Sequence, residues 1–497
     1  MVSQRKRSFV SRLLFCAYLV ILFCAPLPLG SNRPWAWSVL ELAIFVLAAG
    51  CLSVWIFSAL ILRRSELKVF GFRSTKLALI LFFAWLSFLL LQFVPLPLGF
   101  LSSIASGNAD WWIDVYAAQG SGVGRISADV YASQVFLLKQ IAYVCFFSIT
   151  LYLVDNRKRL KFTLGTLIFV ALFQALYGLA AYFMRDAFPF WTPKWLGHDW
   201  ASGTFLNKNH YAAVLSMGIA LSIGASLPLL AQMTHSRAKG IKKLLLSFSE
   251  LTLSPKACWL GVLFILLTAF FIAHSRGALL ALFVAVGGWL IVGSSRDKNS
   301  VERRSLPILT GVAIVASLWL GFSGVFGQLF SLSAASGRLA LWSESVQLIP
   351  EFWLFGTGGG TFETVATQIK TQQLGDYTFD YLHNDHLQYL IEQGVLGAGL
   401  FYSAVFVSWM APMRQYWASQ RGKMSSERRA LQAGILIATS AFMLHGFVDF
   451  NFYIPSNTLW FFTLLALGLC ATHSRANSRV LVSPRSETSA TESKSQS

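Results

Sequence analysis

Residues 77–97 read LALILFFAWLSFLLLQFVPLP, an apolar run without a single charged side chain. A helix needs about 20 such residues to cross the hydrocarbon core of a bilayer. In lipid every backbone polar group must be paired within its own segment, so a run of this kind is a helix rather than a strand. Runs of similar length recur at roughly 10–29, 36–62, 134–154, 163–184, 211–232, 257–274, 277–294, 306–328, 388–412, 430–448 and 457–472. The expected fold is therefore all-α: a polytopic membrane protein with about 12 transmembrane helices. The seventh and eighth runs are separated only by Ser275-Arg276, so they read as a tight hairpin or a broken re-entrant pair.

The composition agrees. Of 497 residues, 55% are hydrophobic and 12% charged, about half the charged fraction of a soluble domain. The first run follows Arg5-Lys6-Arg7, but no small-residue cleavage site follows Cys24, and it is expected to be a retained helix. Charge sets the orientation. With an even number of spans, 31 of the 40 Lys+Arg fall on the side of the two termini, eight on the other, and Lys139 lies inside a span. By the positive-inside rule the basic side is cytoplasmic. The net charge of +18 thus comes from anchors that suit anionic lipid, and it calls for no nucleic acid. The six cysteines lie in apolar runs without a CxxC pair, which argues for neither a disulfide nor a metal site. Residues 473–497 read as a disordered cytoplasmic tail.

Polar residues gather in three outer segments, 98–133, 185–210 and 329–387. Their Trp and Tyr side chains suit an interfacial belt or faces on which sugar rings stack. The third segment, a large periplasmic loop on this topology, is too long for a plain connector. Its residues 336–349 have the spacing of an amphipathic interfacial helix, with Pro350 expected to end it. The run Gly356-Thr357-Gly358-Gly359-Gly360 lacks the βαβ context of a nucleotide site. It serves either as an anion-binding nest of amides or as a turn. Arg276, Arg338 and Lys208 stand outside against the charge bias. Two guanidiniums near the membrane surface suit bidentate binding of a phosphate or pyrophosphate. His383 and His386 flank Asn384-Asp385. Their spacing fits a metal pair, but a zinc site needs three or four protein ligands. The alternative is a general base, His383, oriented by Asn384 or Asp385. Last comes His445-Gly446-Phe447-Val448-Asp449-Phe450-Asn451, ionisable groups at the rim of a span.

In order along the chain, these elements resemble those of the O-antigen ligase and polysaccharide polymerase superfamily of bacterial inner membranes. The resemblance covers about 203–468. It rests on Gly203–His210, Ser275-Arg276-Gly277, Gly337-Arg338 with Trp342, Gly356–Phe362, His383-Asn384-Asp385 with Leu387-Gln388, then Glu392 and Gly394, and His445–Asn451 with Pro455 and Asn457. Gly446 stands where that pattern has serine. The resemblance implies a metal-independent, inverting membrane glycosyltransferase without a cofactor. Its donor would be an undecaprenyl pyrophosphate-linked glycan, and its acceptor a hydroxyl of another glycan or of lipid A core. For a polymerase, a chain-length regulator is a further implied partner. By the same likeness Arg276 and Arg338 hold the pyrophosphate and His383 activates the acceptor. Asn207, Asn209, Asn384 and Asp449 would have positioning or structural roles. Ligase and polymerase share these elements, so the choice between them stays open. The rival class is a lipid-glycan flippase or secondary transporter. Such a protein places ionisable residues at mid-membrane on several helices, whereas here the polar motifs crowd into outer loops.

Overall fold

The computed structural model describes residues 2–60, 73–116, 122–185, 199–233, 258–294, 333–369, 379–419 and 425–473. The expected span at 306–328 and the tail from 474 onward lie outside the described residues. The long helices are α1 (Val2–Cys24), α2 (Pro34–Leu60), α3 (Arg73–Leu91), α4 (Val130–Leu153), α5 (Arg157–Met184), α6 (Lys208–Met233), α7 (Cys258–Ile272), α8 (Arg276–Ser294), α9 (Ser333–Ser345), α10 (Asp385–Ser419), α11 (Ser426–His445) and α12 (Pro455–His473). Among the described residues six helices are long and apolar enough to cross a membrane, and α1, α7 and α8 contain shorter apolar stretches. The described residues are mostly helical, as in a multi-pass membrane protein. Its described β structure is a two-residue antiparallel pair, Leu96–Pro97 against Val123–Gly124.

Helix α12 is the axis of the bundle. Residues 455–471 are buried throughout, and a helix apolar on all sides belongs at the centre of its neighbours. Helices α4, α10 and α11 pack around it. Helices α6 and α11 cross at Gly224 and Gly434: a Cβ on Gly224 would stand 2.9 Å from the Gly434 Cα. Such small-residue contacts let backbones approach closely where lipid offers no hydrophobic drive. The outer helices show their apolar faces outward, with Val39, Leu42 and Val46 on α2 and Leu280, Phe283 and Ile291 on α8 exposed. On α1, Tyr18 is fully buried and its hydroxyl accepts from Thr150 Oγ1 at 3.2 Å, so this helix is part of the packed bundle.

The two ends of the bundle differ in chemistry. At one end Arg157 at the start of α5 pairs with Glu427 at the start of α11 at 2.6 Å, and Lys161 pairs with the same carboxylate. At the other end the polar connections interlock. Thr204 Oγ1 donates to Pro26 O, Gln92 Nε2 to Phe355 O, Ala128 N to Thr357 O, Ala201 N to Ile272 O and Asp385 N to Gly446 O. A satellite core of Leu341, Leu348, Phe352, Phe362, Val365, Leu382 and Ile391 consolidates this outer layer.

Two local readings change. The helix expected over 336–349 ends at Ser345, passes through a 3-10 turn at Val346–Leu348, and is followed by a new helix at Ile349–Phe352 with Pro350 in its first turn. Proline has no amide hydrogen to contribute there and suits a helix start, so Pro350 opens an element rather than closing one. The seventh and eighth runs become two short helices, α7 and α8, joined through residues 273–275 with His274 at φ +52; α7 packs on α5 and α6, and α8 on α11 and α6, rather than on each other.

Candidate active site

The site is built where the 381–385 turn meets the 445–452 turn. His383 has φ +54, in the left-handed region that a residue other than glycine seldom adopts. Its neighbours hold it there. Leu382 N donates to Gln388 Oε1 at 2.9 Å, and Leu382 O accepts from Trp342 Nε1 at 2.8 Å. Asn384 Oδ1 caps the start of α10 by accepting from Leu387 N at 3.0 Å. Asp385 N donates to Gly446 O at 2.7 Å and to Asp449 O at 3.1 Å, and the fully buried Asp385 carboxylate accepts from Phe452 N at 3.1 Å. Asn384 and Asp385 therefore fix the turn with their side chains. Asn384 does so through Oδ1 and Asp385 through its carboxylate.

The carboxylate facing His383 is Asp449. Its Oδ1 lies 3.6 Å from His383 Nδ1 and 3.6 Å from His210 Nε2, and its Oδ2 lies 4.0 Å from His445 Nε2. Asp449 is 1% exposed, whereas the His383 side chain is 30% exposed. Burial pushes the Asp449 carboxyl up, but the facing imidazoles of His210 and His383 and the charge of His210 and His445 outweigh it and hold the group well below the usual carboxylate range. The surrounding amides set the imidazoles. Asn451 Oδ1 accepts from Asn457 Nδ2 at 3.2 Å, so its Nδ2 faces His445 Nδ1 at 3.1 Å as donor, which leaves the His445 proton on the nitrogen turned to Asp449. Asn457 Nδ2 also donates to His210 O at 3.0 Å. The Phe450 ring lies between His210 (4.5 Å), His383 (4.7 Å) and the stacked Tyr381 (4.3 Å). The Tyr381 phenol is pushed up to about 12 by burial and then by Asp380 and its other acidic neighbours, so it stays protonated at neutral pH. Among the described residues no cluster of three His, Cys, Asp or Glu side chains is arranged to hold a metal ion.

The cations come to one flank of this turn. Arg338, on α9, donates from Nη1 to Val448 O at 2.8 Å, one residue before Asp449. Arg276 opens α8, and the next residue, Gly277, packs directly on His445 and Val448. Lys208 opens α6, stands 4.1 Å over the Trp200 ring, and feels the charge of both arginines. Two helix starts and the middle of α9 thus bring three positive side chains together, where the sequence reading had assigned only Arg276 and Arg338 to anion binding. Asn207 Oδ1 accepts from Asn209 N at 2.8 Å and shapes the turn that presents Lys208, with Asn209 half-buried beside it. His386, by contrast, is tied up: Nδ1 pairs with Tyr402 hydroxyl at 2.7 Å and Nε2 with Met443 O at 2.9 Å.

The glycine run resolves as a turn whose amides are used internally. Gly360 N and Phe362 N donate to the buried Glu392 carboxylate at 2.7 and 3.1 Å, Gly358 N to Glu392 O at 2.8 Å, and Gly359 N to Gln92 Oε1 at 3.1 Å. Gln388 Nε2 and the Tyr453 hydroxyl complete the set around Glu392 at 3.0 and 2.6 Å. The anion that fills this nest is the protein's own. Gly356 (φ +74) and Gly394 (φ +60, at a break inside α10) also stand back to back, since a Cβ on Gly394 would meet Gly356 N at 2.6 Å.

Residues 261–402 match the family model described as O-antigen ligase. The match supports the resemblance to the O-antigen ligase and polysaccharide polymerase superfamily, and with it a role in membrane glycan ligation or polymerisation. It takes in Arg276, Arg338, the glycine run, His383 and Glu392. Lys208, His210, His445 and Asp449 lie outside it, and the fold brings them to the same turn. No curated protein matches the chain.

Proposed function

We propose that the protein is an inverting, metal-independent glycosyltransferase of the bacterial inner membrane. It moves glycan from an undecaprenyl pyrophosphate carrier to an acceptor hydroxyl on the periplasmic face, in polysaccharide polymerisation or ligation. The observation that carries this reading is one partly exposed imidazole, His383, backed by the buried Asp449 and flanked by Arg276, Arg338 and Lys208. With Nδ1 turned to Asp449, the other ring nitrogen is the one free to accept a proton. As the acceptor oxygen bonds to the anomeric carbon, its proton passes to His383 Nε2. The bond from that carbon to the pyrophosphate oxygen breaks, and its electron pair leaves with the pyrophosphate. Negative charge grows there, and fixed cations aimed at such charge stabilise the transition state. A single displacement inverts the anomeric centre. Asp449 supports the imidazolium that forms.

The test is reconstitution of the full chain with a lipid-linked oligosaccharide, scored for longer or transferred glycan. Wild type should convert the donor, and His383→Ala should not. Donor flipped across the bilayer without any new glycosidic bond would instead favour the flippase reading.

A further inference from the structure

Lys139 takes no part in the site described above, yet it is an ammonium in a membrane helix, where an ionisable group is costly and by default functional. Its Nζ lies 3.6 Å over the Trp37 ring of α2. It also feels the charge of Glu41, one turn further along the same face of α2. Among the described residues no carboxylate lies within ion-pair distance of Lys139, and Glu41 Oε1 is buried without a hydrogen-bond partner. The depth of the group is readable. Lys139 sits nine residues into α4, about 13 Å at 1.5 Å per residue, while Trp37 sits only three residues into α2. The start of α4 therefore stands above the start of α2, and it is tied into the outer layer, where Asp129 Oδ2 accepts from Thr364 Oγ1 at 3.2 Å. Lys139 is thus level with the outer rim of α2, at head-group height. The flank is open to lipid: Trp35, Val39, Leu42 and Leu138 are all exposed.

This group connects to the active site through Tyr143 and Tyr381. Tyr143, one turn below Lys139 on α4, interacts electrostatically with both Glu41 and Tyr381. Tyr381 in turn feels Arg33, just before α2, and stacks on Phe450, which touches His383. Arg276, Arg338 and Lys208 approach the same histidine from the Val448 side.

We propose that Arg33, Trp37, Glu41 and Lys139 form a second lipid-phosphate site, which holds the carrier phosphate of the acceptor while the arginine flank holds the donor. The inference rests on the transferase reading and makes it specific: both substrates are anionic carrier lipids, as polymerisation requires. The Lys139 ammonium, seated on the Trp37 ring with no carboxylate at ion-pair distance among the described residues, suits a phosphate. Glu41 restrains the affinity, so that the carrier can leave after transfer.

The test is binding of undecaprenyl phosphate to the full chain in nanodiscs of zwitterionic lipid, read by native mass spectrometry. Wild type should hold two per chain. Lys139→Gln should weaken one of them on the order of tenfold, the loss of one charged contact, while Lys139→Arg keeps both. Glu41→Gln should tighten the same site by removing a like charge from the phosphate, a gain that a merely structural pair would not give. Excess phosphatidylglycerol should not displace the second lipid. One lipid per wild-type chain, two undiminished in Lys139→Gln, weakening in Glu41→Gln, or equal displacement by phosphatidylglycerol would each overturn the proposal. Should Lys139→Gln fail to fold, the tightening expected of Glu41→Gln and the unchanged binding expected of Lys139→Arg still decide it. Because binding is read without turnover, these outcomes are separate from the His383→Ala test of transfer.

Discussion

His383 and Asp449 face each other at 3.6 Å from two turns far apart in the chain, and the same carboxylate oxygen stands equally far from His210. One buried anion therefore serves several imidazoles, of which only His383 is partly open. His383→Ala should lower glycan transfer by ~10²–10⁴-fold, the usual cost of losing a general base, with donor binding retained. His386→Ala should instead lower thermal stability, because both its ring nitrogens already have partners in α10 and α11. Turnover and melting of the two variants, measured side by side, check this; equal loss of turnover in both would count against His383 as the base.

Asp449 gives a pH signature. Its carboxyl is held well below its ordinary value by the histidines around it, so the unfolded chain binds the proton more readily than the folded one. The stability it contributes is present above the unfolded pKa of ~3.9 and is lost as pH falls below that toward the depressed folded value. Asp449→Asn should melt lower than wild type at neutral pH, and the gap should close below about pH 4. A gap that stays constant down to that pH would mean the carboxylate is not held as described.

The three cations should separate by chemistry. Arg338→Ala should weaken binding of undecaprenyl pyrophosphate roughly 10- to 150-fold, from one charge-assisted hydrogen bond of ~1.5–3 kcal/mol. Arg338→Lys should recover only part, because an ammonium cannot make the bidentate contact. Lys208→Met should cost less than either arginine, since the ammonium is partly engaged by Trp200. Isothermal titration with the purified protein would rank them.

Glu392→Ala should destabilise the outer layer strongly. It strips Gly360 N, Phe362 N, Gln388 and the Tyr453 hydroxyl of their acceptor, and each buried donor left unsatisfied costs about 1–3 kcal/mol. The readout is a lower melting temperature together with protease sensitivity near residue 360. Unchanged melting would remove Glu392 from the core of this layer.

Orientation is testable at Gln347, which is exposed beyond α9. A Gln347→Cys variant should react with an impermeant thiol reagent in intact spheroplasts. Reaction only after lysis would place the outer layer on the cytoplasmic side.

Much of this architecture is legible in the sequence, because apolar run length is a direct consequence of bilayer thickness. The break at Ser275-Arg276 follows from the same reasoning, whereas the helix expected over 336–349 runs instead from Ser333 to Ser345. The pairing of Asp449 with His383 is not legible, since periodicity says nothing about which turns meet across a bundle. His445, four residues before Asp449, and His210, at the end of the Asn-Lys-Asn-His run, were visible as residues, but their common target was not. The glycine run misleads for a physical reason. Its amides do bind an anion, but that anion is Glu392, supplied from within the chain. Pro350 likewise marks a helix boundary without saying on which side the helix lies.

The broken helix α10 has a mechanical meaning. Its first two turns carry Asp385, Gln388 and Glu392, which grip the 452, 382 and 360 segments, while Gly394 receives the 353–356 turn from outside: Val395 N donates to Trp353 O at 2.8 Å. The first two turns of α10 are therefore fastened to the layer that holds His383, and a tilt of those turns would carry His383 with it relative to the lipid surface.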